Sequence, residues 1–498
     1  MVDHPTSYDR LPYESHAYRA SAPASLATVA TLFGLHPAPP AGARVLELGC
    51  ASGGNLVPLA VRHPEARFVG VDLSARQIAQ GQAEVEALGL RNCALVHADL
   101  ATFTAEAGAF DYVICHGVYA WVPPMVQRAI LDLCRRCLTP QGVAYVSTNT
   151  LPGWRMYQGV RDAMRFFTAH LDDPRAQVAR GVGLLELHAR FVPEEHVAWR
   201  HALAELVHTL AQHDDAYVFH ELLEEHNEPA WLVDLHGQVR AAGLQYLADA
   251  HVPSMLPQLW GGDVAQALAG LTQELVVAEQ YLDLLRGRCF RRMLLVHEEA
   301  RPVRDLRTLD LSPFHATAVA EHRPAQPGVP ESFWGAEQGV VIDDEGTNAL
   351  LRALSAHAPA TVPVPTLGRE VGLEGPALLQ AVTTGFLLDL LELTVDPPAH
   401  TPRASARPRA WSYARHLGAR TSRVCSLRHE VVDLDALDHH LLLQLDGHTD
   451  AATLLARLRA HVAAFEEATG QPHPYAGVDA ATVAARLDQL AAWALLDA

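Results

Sequence analysis

Residues 44–55 read R-V-L-E-L-G-C-A-S-G-G-N, a carboxylate inside an apolar run followed at once by small residues. Val45, Leu46 and Leu48 form the run, and a helical pattern resumes at Leu56. A strand, a tight turn and a helix start, in that order, aim backbone N–H groups at a ligand. Glycine allows the close backbone approach that a side chain would block. A second short run, residues 68–72, ends in Asp72, whose carboxylate suits bidentate hydrogen bonding to two ribose hydroxyls. A third, residues 94–97, ends near Asp99. Three strands that each end in a candidate ligand group place a nucleotide-like cofactor at the carboxyl edge of a sheet. No G-K-[ST] follows the glycines, which argues against a P-loop, and Glu47 precedes them within the strand, which argues against NAD.

The second reactant would approach beside the glycine turn, at the end of a fourth strand over residues 110–115. There the chain reads H-G-V-Y-A-W-V-P from His116 to Pro123. Tyr119 and Trp121 would line a low-dielectric pocket there, which lowers the pKa of a basic group that enters it. His116 is a candidate proton acceptor, with a structural role as its alternative. Helix 124–137, strand 143–147 and a loop over 148–154 follow, the loop carrying Asn149 and Trp154.

Residues 155–228 read as amphipathic helices rich in His and Glu, delaying the next strand. His220 and His226 are six apart, not at the H-E-x-x-H spacing of a helix-borne metal pair, so no metal is expected. His220, Glu221, Glu224 and Glu225 are candidates for substrate binding. The carboxylates would steer a basic partner, with a solvated helix face as the alternative. Helix 231–242, strand 244–249, a long helix over 263–285 and strand 290–296 complete a seven-stranded α/β domain ending near residue 300.

Composition bounds the partners and the compartment. The 498-residue chain is 49% hydrophobic, long enough for two or more domains, and its net charge of −19 argues against nucleic acid. No apolar run is long enough for a membrane span and no basic-then-apolar leader is present, so no membrane partner and a cytoplasmic location are expected. Seven scattered cysteines read as reduced thiols, with Cys134 and Cys137 as helix core. Lysine is absent from the sequence, and every Lys or Arg position is arginine. Residues 301–396 read as a connector (about 300–345) and a small winged-helix-like module, with an apolar strand pair around 388–395. Residues 397–498 read as a second linker (about 397–424) and a second module. Protein contact is favoured for these modules over DNA, and a homodimer is left open.

The motifs Y-D-x-x-P-Y-x-S, L-E-L-G-C-x-x-G-G-N, H-G-V-Y-x-W-V-P, N-T-x-P-G-W, H-E-x-L-E-E-x-N-x-P and E-Q-Y-L-D-x-L-R span most of the chain, most densely over residues 8–300. Together they resemble class I S-adenosylmethionine (SAM)-dependent methyltransferases carrying a methyltransferase regulatory domain, of the bacterial, rickettsial protein lysine methyltransferase type. The resemblance implies a Rossmann-like seven-stranded sheet over residues 1–300 with the helical insertion, or regulatory region, at about 155–228. Mostly α winged-helix-like C-terminal modules would follow. It implies SAM as methyl donor, S-adenosylhomocysteine as product, and a protein lysine as acceptor. Glu47, Gly49 and Gly53 would line the cofactor turn, with Cys50, Ala51 and Asn55 beside them. Asp72 would meet the ribose with Leu73 and Gln77 nearby, and Asp99 would lie near the adenine with Leu100. Tyr8 and Tyr13 would lie over a sulfonium as a lid, with a surface arm as the alternative. His116, Tyr119, Trp121 and Asn149 are the candidate catalytic residues, His116 also bordering the cofactor, and Trp154 joins the insertion residues on the substrate side. Ala51 departs from the usual middle glycine, and Thr148 from a more usual tyrosine. Two other readings stay open: N- or O-methylation of a small molecule, and a SAM-sensing regulator.

Overall fold

The computed structural model describes residues 6–335 and 339–497. They divide into two compact units, the first made of Met1–Ser15 and Leu35–Pro302, the second of His16–Gly34 and Val303–Ala498. The expected domain over 1–300 is therefore interrupted, with His16–Gly34 belonging to the second unit.

The first unit is built on one sheet. Its strands are β1 (Arg44–Leu48), β2 (Arg67–Asp72), β3 (Cys93–His97), β4 (Phe110–Cys115), β5 (Leu138–Asn149), β6 (Leu244–Asp249) and β7 (Phe290–His297). Their order is β3-β2-β1-β4-β5-β7-β6. All pairs are parallel except those of β7, which runs antiparallel to both β5 and β6. The interior strands are apolar on both faces, and β4 is buried at every position. That burial is what helices packed on both sides of a parallel sheet require. The chain leaves β1 in one direction and returns to β4 on its other side, so the crevice at their carboxyl ends is the topological switch point.

Between β5 and β6 lies the helical insertion: Trp154–Thr168, Pro174–Phe191, Val197–Leu210 and Asp215–Leu222. It has its own core, including Val160, Met164, Leu185, Leu203 and Phe219, and Leu11 from the N-terminal arm is buried in it. After β6, the expected long helix is two helices, Gly262–Leu271 and Leu275–Arg286, because Thr272 takes an extended backbone and its hydroxyl caps Glu274 N–H at 3.0 Å. The motif E-Q-Y-L-D-x-L-R belongs to the second of these. Its Glu279 and Asp283, one turn apart, grip the fully buried Arg291 of β7 at 2.8 Å each, and Tyr246 of β6 donates to Glu279 at 2.9 Å. Four buried polar side chains thus hold one another at the edge of the sheet, with Glu279 Oε1 alone among their carboxylate oxygens left without a partner among the described residues, so the motif is structural.

In the second unit, the stretch expected as a connector contributes strands: β8 (His315–Ala318), β9 (Glu321–Arg323), β10 (Ser332–Trp334) and β11 (Gly339–Val340). The apolar strand pair expected around 388–395 is one strand, β13 (Leu391–Thr394), paired with β8. On the other side of β8 lies β12 (Val362–Pro363). Helices Glu345–His357, Val364–Val371 and Gly375–Leu387 accompany this sheet. The expected second linker holds helix Ser412–Gly418 and β14 (Arg423–Cys425), which pairs with β15 (Val431–Asp433). Helices Ala436–Gln444, Ala451–Thr469 and Ala480–Ala492 complete it. Helix Pro23–Leu32 is buried almost throughout, and Arg19 beside it is held by Glu392 and Glu430 of the same unit.

Candidate functional site

At the switch point the chain turns sharply after β1. Gly49 (φ +78°), Ala51 (φ +49°) and Gly53 (φ +81°) all take left-handed backbone. A Cβ on Gly49 would lie 2.3 Å from Val118, so only glycine fits beside the loop after β4. Ala51 is the one alanine in this series, and its methyl group carries the left-handed strain, about 1–2 kcal/mol, that glycine would avoid. Asp72, at the end of β2, spans the turn: Oδ2 accepts from Ala51 N–H and Oδ1 from Ser74 N–H, both at 2.8 Å. Glu47, within β1, is 3% exposed. Its Oε1 accepts from Asn55 Nδ2 at 2.8 Å, while Oε2 is buried with no hydrogen-bond partner among the described residues. Burial pushes its carboxyl up to about 8, so the site favours a proton or a cationic group beside this oxygen. Burial raises the Asp72 carboxyl and the Cys50 thiol as well. Past β3, Asp99 Oδ1 accepts from Ala101 N–H at 2.8 Å, with Leu100 buried beside it and Leu73 part-exposed after β2.

The N-terminal arm is fastened across these loops. Asp9 accepts from Ser74 Oγ at 2.6 Å, and Arg76 donates to the Asp9 carbonyl at 2.9 Å. Gln77 Nε2 donates to the Tyr13 carbonyl at 2.8 Å, and Gly54 N–H to Ser15 Oγ at 2.8 Å. Gln77 therefore spends its amide donor on the arm. Gly54 is required for a different reason from its neighbours: a Cβ there would meet the Ser15 carbonyl at 2.1 Å. From the insertion, His220 stacks on Tyr8 with ring centroids 4.2 Å apart and planes 4° apart, and Tyr13 meets it edge-on at 5.8 Å. His220 Nε2 donates to the Leu11 carbonyl at 2.6 Å, and Nδ1 lies 2.6 Å from Glu224 Oε1.

This geometry corrects the expectation of a single acidic face. Glu224 is spent on His220, half-buried Glu221 has its carboxyl pushed up to about 7 by burial, and of the cluster only Glu225 and Glu228 are exposed. Ser74 and Arg76 belong to the arrangement without having been singled out, and Ser15 and Gly54 stood in their motifs without a role, since nothing local marks a residue as the anchor of a distant arm.

On the acceptor side, His116 Nδ1 lies 3.0 Å from Tyr145 Oη and 3.1 Å from Ser147 Oγ. Burial and the Arg292 charge push its imidazole down to about 3, which favours the structural alternative over proton acceptance. Tyr119 is buried and donates to Gln238 at 2.7 Å, a structural tie away from the turn. Trp121, by contrast, meets Trp154 edge-on at 6.1 Å, and Trp154 stacks on Tyr157 at 5.0 Å. Arg161 lies over the Trp121 ring at 5.6 Å. Asn149 Nδ2 and Trp154 Nε1 are buried donors with no partner. Among the described residues no group of three or more His, Cys, Asp or Glu side chains is placed to hold a metal, and Cys134 and Cys137 are fully buried in helix Pro124–Cys137. No described helix is long and apolar enough to cross a membrane.

Comparison with known proteins matches three family models. Residues 45–142 match a methyltransferase domain, residues 214–297 a predicted methyltransferase regulatory domain, and residues 406–495 a PKMT C-terminal winged helix domain. An uncharacterised protein of Rickettsia prowazekii, RP789, is 38% identical over 63% of this chain and 57% of its own length, so the chain spans little more than half of that relative. A second, RP028, is 34% identical over 44% of this chain and 88% of its own length. Among solved structures, PKMT2 from Rickettsia typhi matches 97% of this chain and 100% of its own, with a TM-score of 0.84 at 22% identity. The same protein in complex with AdoHcy matches with a TM-score of 0.83. These two structures support the fold.

Proposed function

We propose that this chain, which belongs to the class I SAM-dependent methyltransferases carrying a methyltransferase regulatory domain, transfers the methyl group of SAM to lysine side chains of a protein. The observation that carries the cofactor half of this reading is the buried turn at the switch point. Glu47 offers an unpartnered carboxylate oxygen to a cationic group, Asp72 keeps lone pairs free for hydroxyl groups, and three left-handed residues leave room for close backbone approach. Bound there, SAM supplies an activated methyl group on a sulfonium leaving group.

The chain's contribution is then alignment and exclusion of water. Trp121, Trp154 and Tyr157 form an aromatic wall at the ends of β4 and β5, which favours an amine arriving without its proton. The arm of residues 6–15, fastened by Asp9, Tyr13 and His220, serves as a lid over the turn. The PKMT-type winged helix supports a protein lysine as the acceptor.

S-adenosylhomocysteine formation by the full chain, measured with a host protein extract and separately with its small-molecule fraction, tests this reading. Turnover that needs the protein fraction is expected. Turnover confined to the small-molecule fraction would replace it with metabolite methylation, and tight SAM binding without turnover in either would replace it with a SAM-sensing role.

A further inference from the structure

The helix that follows β5 and the end of the insertion border an open pocket of about 500 Å³, lined by Arg155, Arg161, Arg165, Asp162, Glu225 and Asn227 among others. Three guanidinium groups converge on it, and none is in an ion pair among the described residues. Arg155 donates to the side-chain amide of Gln158 at 3.1 Å. Arg165 donates to the Glu225 carbonyl at 2.8 Å, and Arg161 to the carbonyls of Glu221 and Glu224. All of these acceptors are neutral, although the carboxylates of Asp162, Glu221 and Glu224 act on Arg161 through space, and Asp162 and Glu225 share the lining. Arg161 is only 4% exposed, and burial together with the Arg165 charge pushes its guanidinium down to about 10. A buried cation surrounded by carbonyl groups and a second cation is an arrangement that an incoming anion stabilises. Asn227, beside it, has both side-chain polar atoms buried and without a partner among the described residues. Its Nδ2 is a ready donor to the same anion.

The pocket adjoins the acceptor side. Arg161 lies over Trp121, which meets Trp154, and Glu228 N–H, next to Asn227, donates to the Ala120 carbonyl at 2.7 Å in the loop after β4. We infer that this pocket seats a carboxylate carried by the methyl acceptor: an aspartate or glutamate neighbouring the target lysine. The inference rests on the lysine reading above and gives it a sequence preference. It also adds to the expectation that glutamates on the insertion recruit a basic partner, because three arginines line this pocket beside Asp162 and Glu225.

The test uses the full chain, two synthetic peptides that differ only in Glu or Gln on either side of a single lysine, and the variant Arg155→Gln/Arg165→Gln. Arg161 is left intact because it also packs on Trp121. Wild type is expected to show a KM about tenfold lower for the Glu peptide, the worth of one charge-assisted hydrogen bond. The double variant should lose that discrimination while binding SAM as wild type does. Equal KM values in wild type, or discrimination that survives in the variant, would overturn the inference. If neither peptide is methylated, the lysine reading fails on its own account, and calorimetry with glutarate then judges the pocket. Glutarate binding that the double variant lacks would keep the carboxylate site with a free small acid as its source, and no binding would remove it.

Discussion

Glu47 and Asp72 are one carboxylate type in two situations, and burial alone does not separate them. Asp72 receives two backbone N–H bonds, whereas Glu47 receives one side-chain amide and keeps an oxygen that nothing satisfies. A carboxyl raised to about 8 is protonated in the folded chain and ionised in the unfolded one between roughly pH 4.5 and 8. The stability it contributes is therefore complete below the unfolded value and is lost as pH rises through 8, at up to about 1.4 kcal/mol per pH unit. Glu47→Gln keeps the acceptor for Asn55 and removes the titration. Urea unfolding without SAM should show wild type losing stability from pH 5 to 8.5 relative to the variant, and parallel curves would show that Glu47 is ionised in the empty turn. The chemistry of this turn was legible in the sequence because its residues lie within twenty-six positions of one another. The positive φ of Ala51 was not, since alanine rarely takes it and only the surrounding turn imposes it.

At the scale of elements, the strands of the sheet were readable from short apolar runs, because burial on both faces leaves no alternation to misread. Breaks and small strands were less readable. Thr272 interrupts an apolar helical pattern with Gly270, two residues earlier, as its one local signal, and β8 to β11 are two to four residues long in a proline-rich stretch. The motif H-E-x-L-E-E-x-N-x-P was legible as a motif and not as a device, because its partners are some two hundred residues away. In the structure its histidine holds the N-terminal arm, accounting for two motifs at once. His220→Ala removes the bond to Leu11 and the stack on Tyr8, so the arm should open more often. Arg10 is exposed, and trypsin cleavage after it is expected to accelerate about tenfold, as local opening is coupled to accessibility. An unchanged cleavage rate in a folded variant would mean that Asp9, Gln77 and Ser15 fasten the arm without the insertion.

For the whole molecule, the two units are not consecutive in sequence. Helix Pro23–Leu32 is apolar nearly all round, a pattern that marks burial and not which core receives it, so its place in the second unit could not be read locally. The first unit depends just as strongly on distant chain. β5 pairs with β7 from Ala144 to Asn149, nearly 150 residues downstream. A fragment ending near residue 160 contains every cofactor motif but leaves that edge open, and it is expected to be insoluble. A soluble fragment with a cooperative unfolding transition would show that β6 and β7 are dispensable for the fold of the cofactor turn.

The absence of lysine from this sequence makes the measurement that bears most directly on the account unusually clean, because the chain cannot label its own lysines. Full-length protein is incubated with methyl-labelled SAM and a host protein extract, and the protein fraction is hydrolysed and its amino acids separated. Label is expected in methylated lysine, and is expected to be lost with Asp72→Asn, which weakens the ribose contact at the turn. Label in any other amino acid or only in soluble metabolites, or lysine label that Asp72→Asn leaves intact, would contradict it.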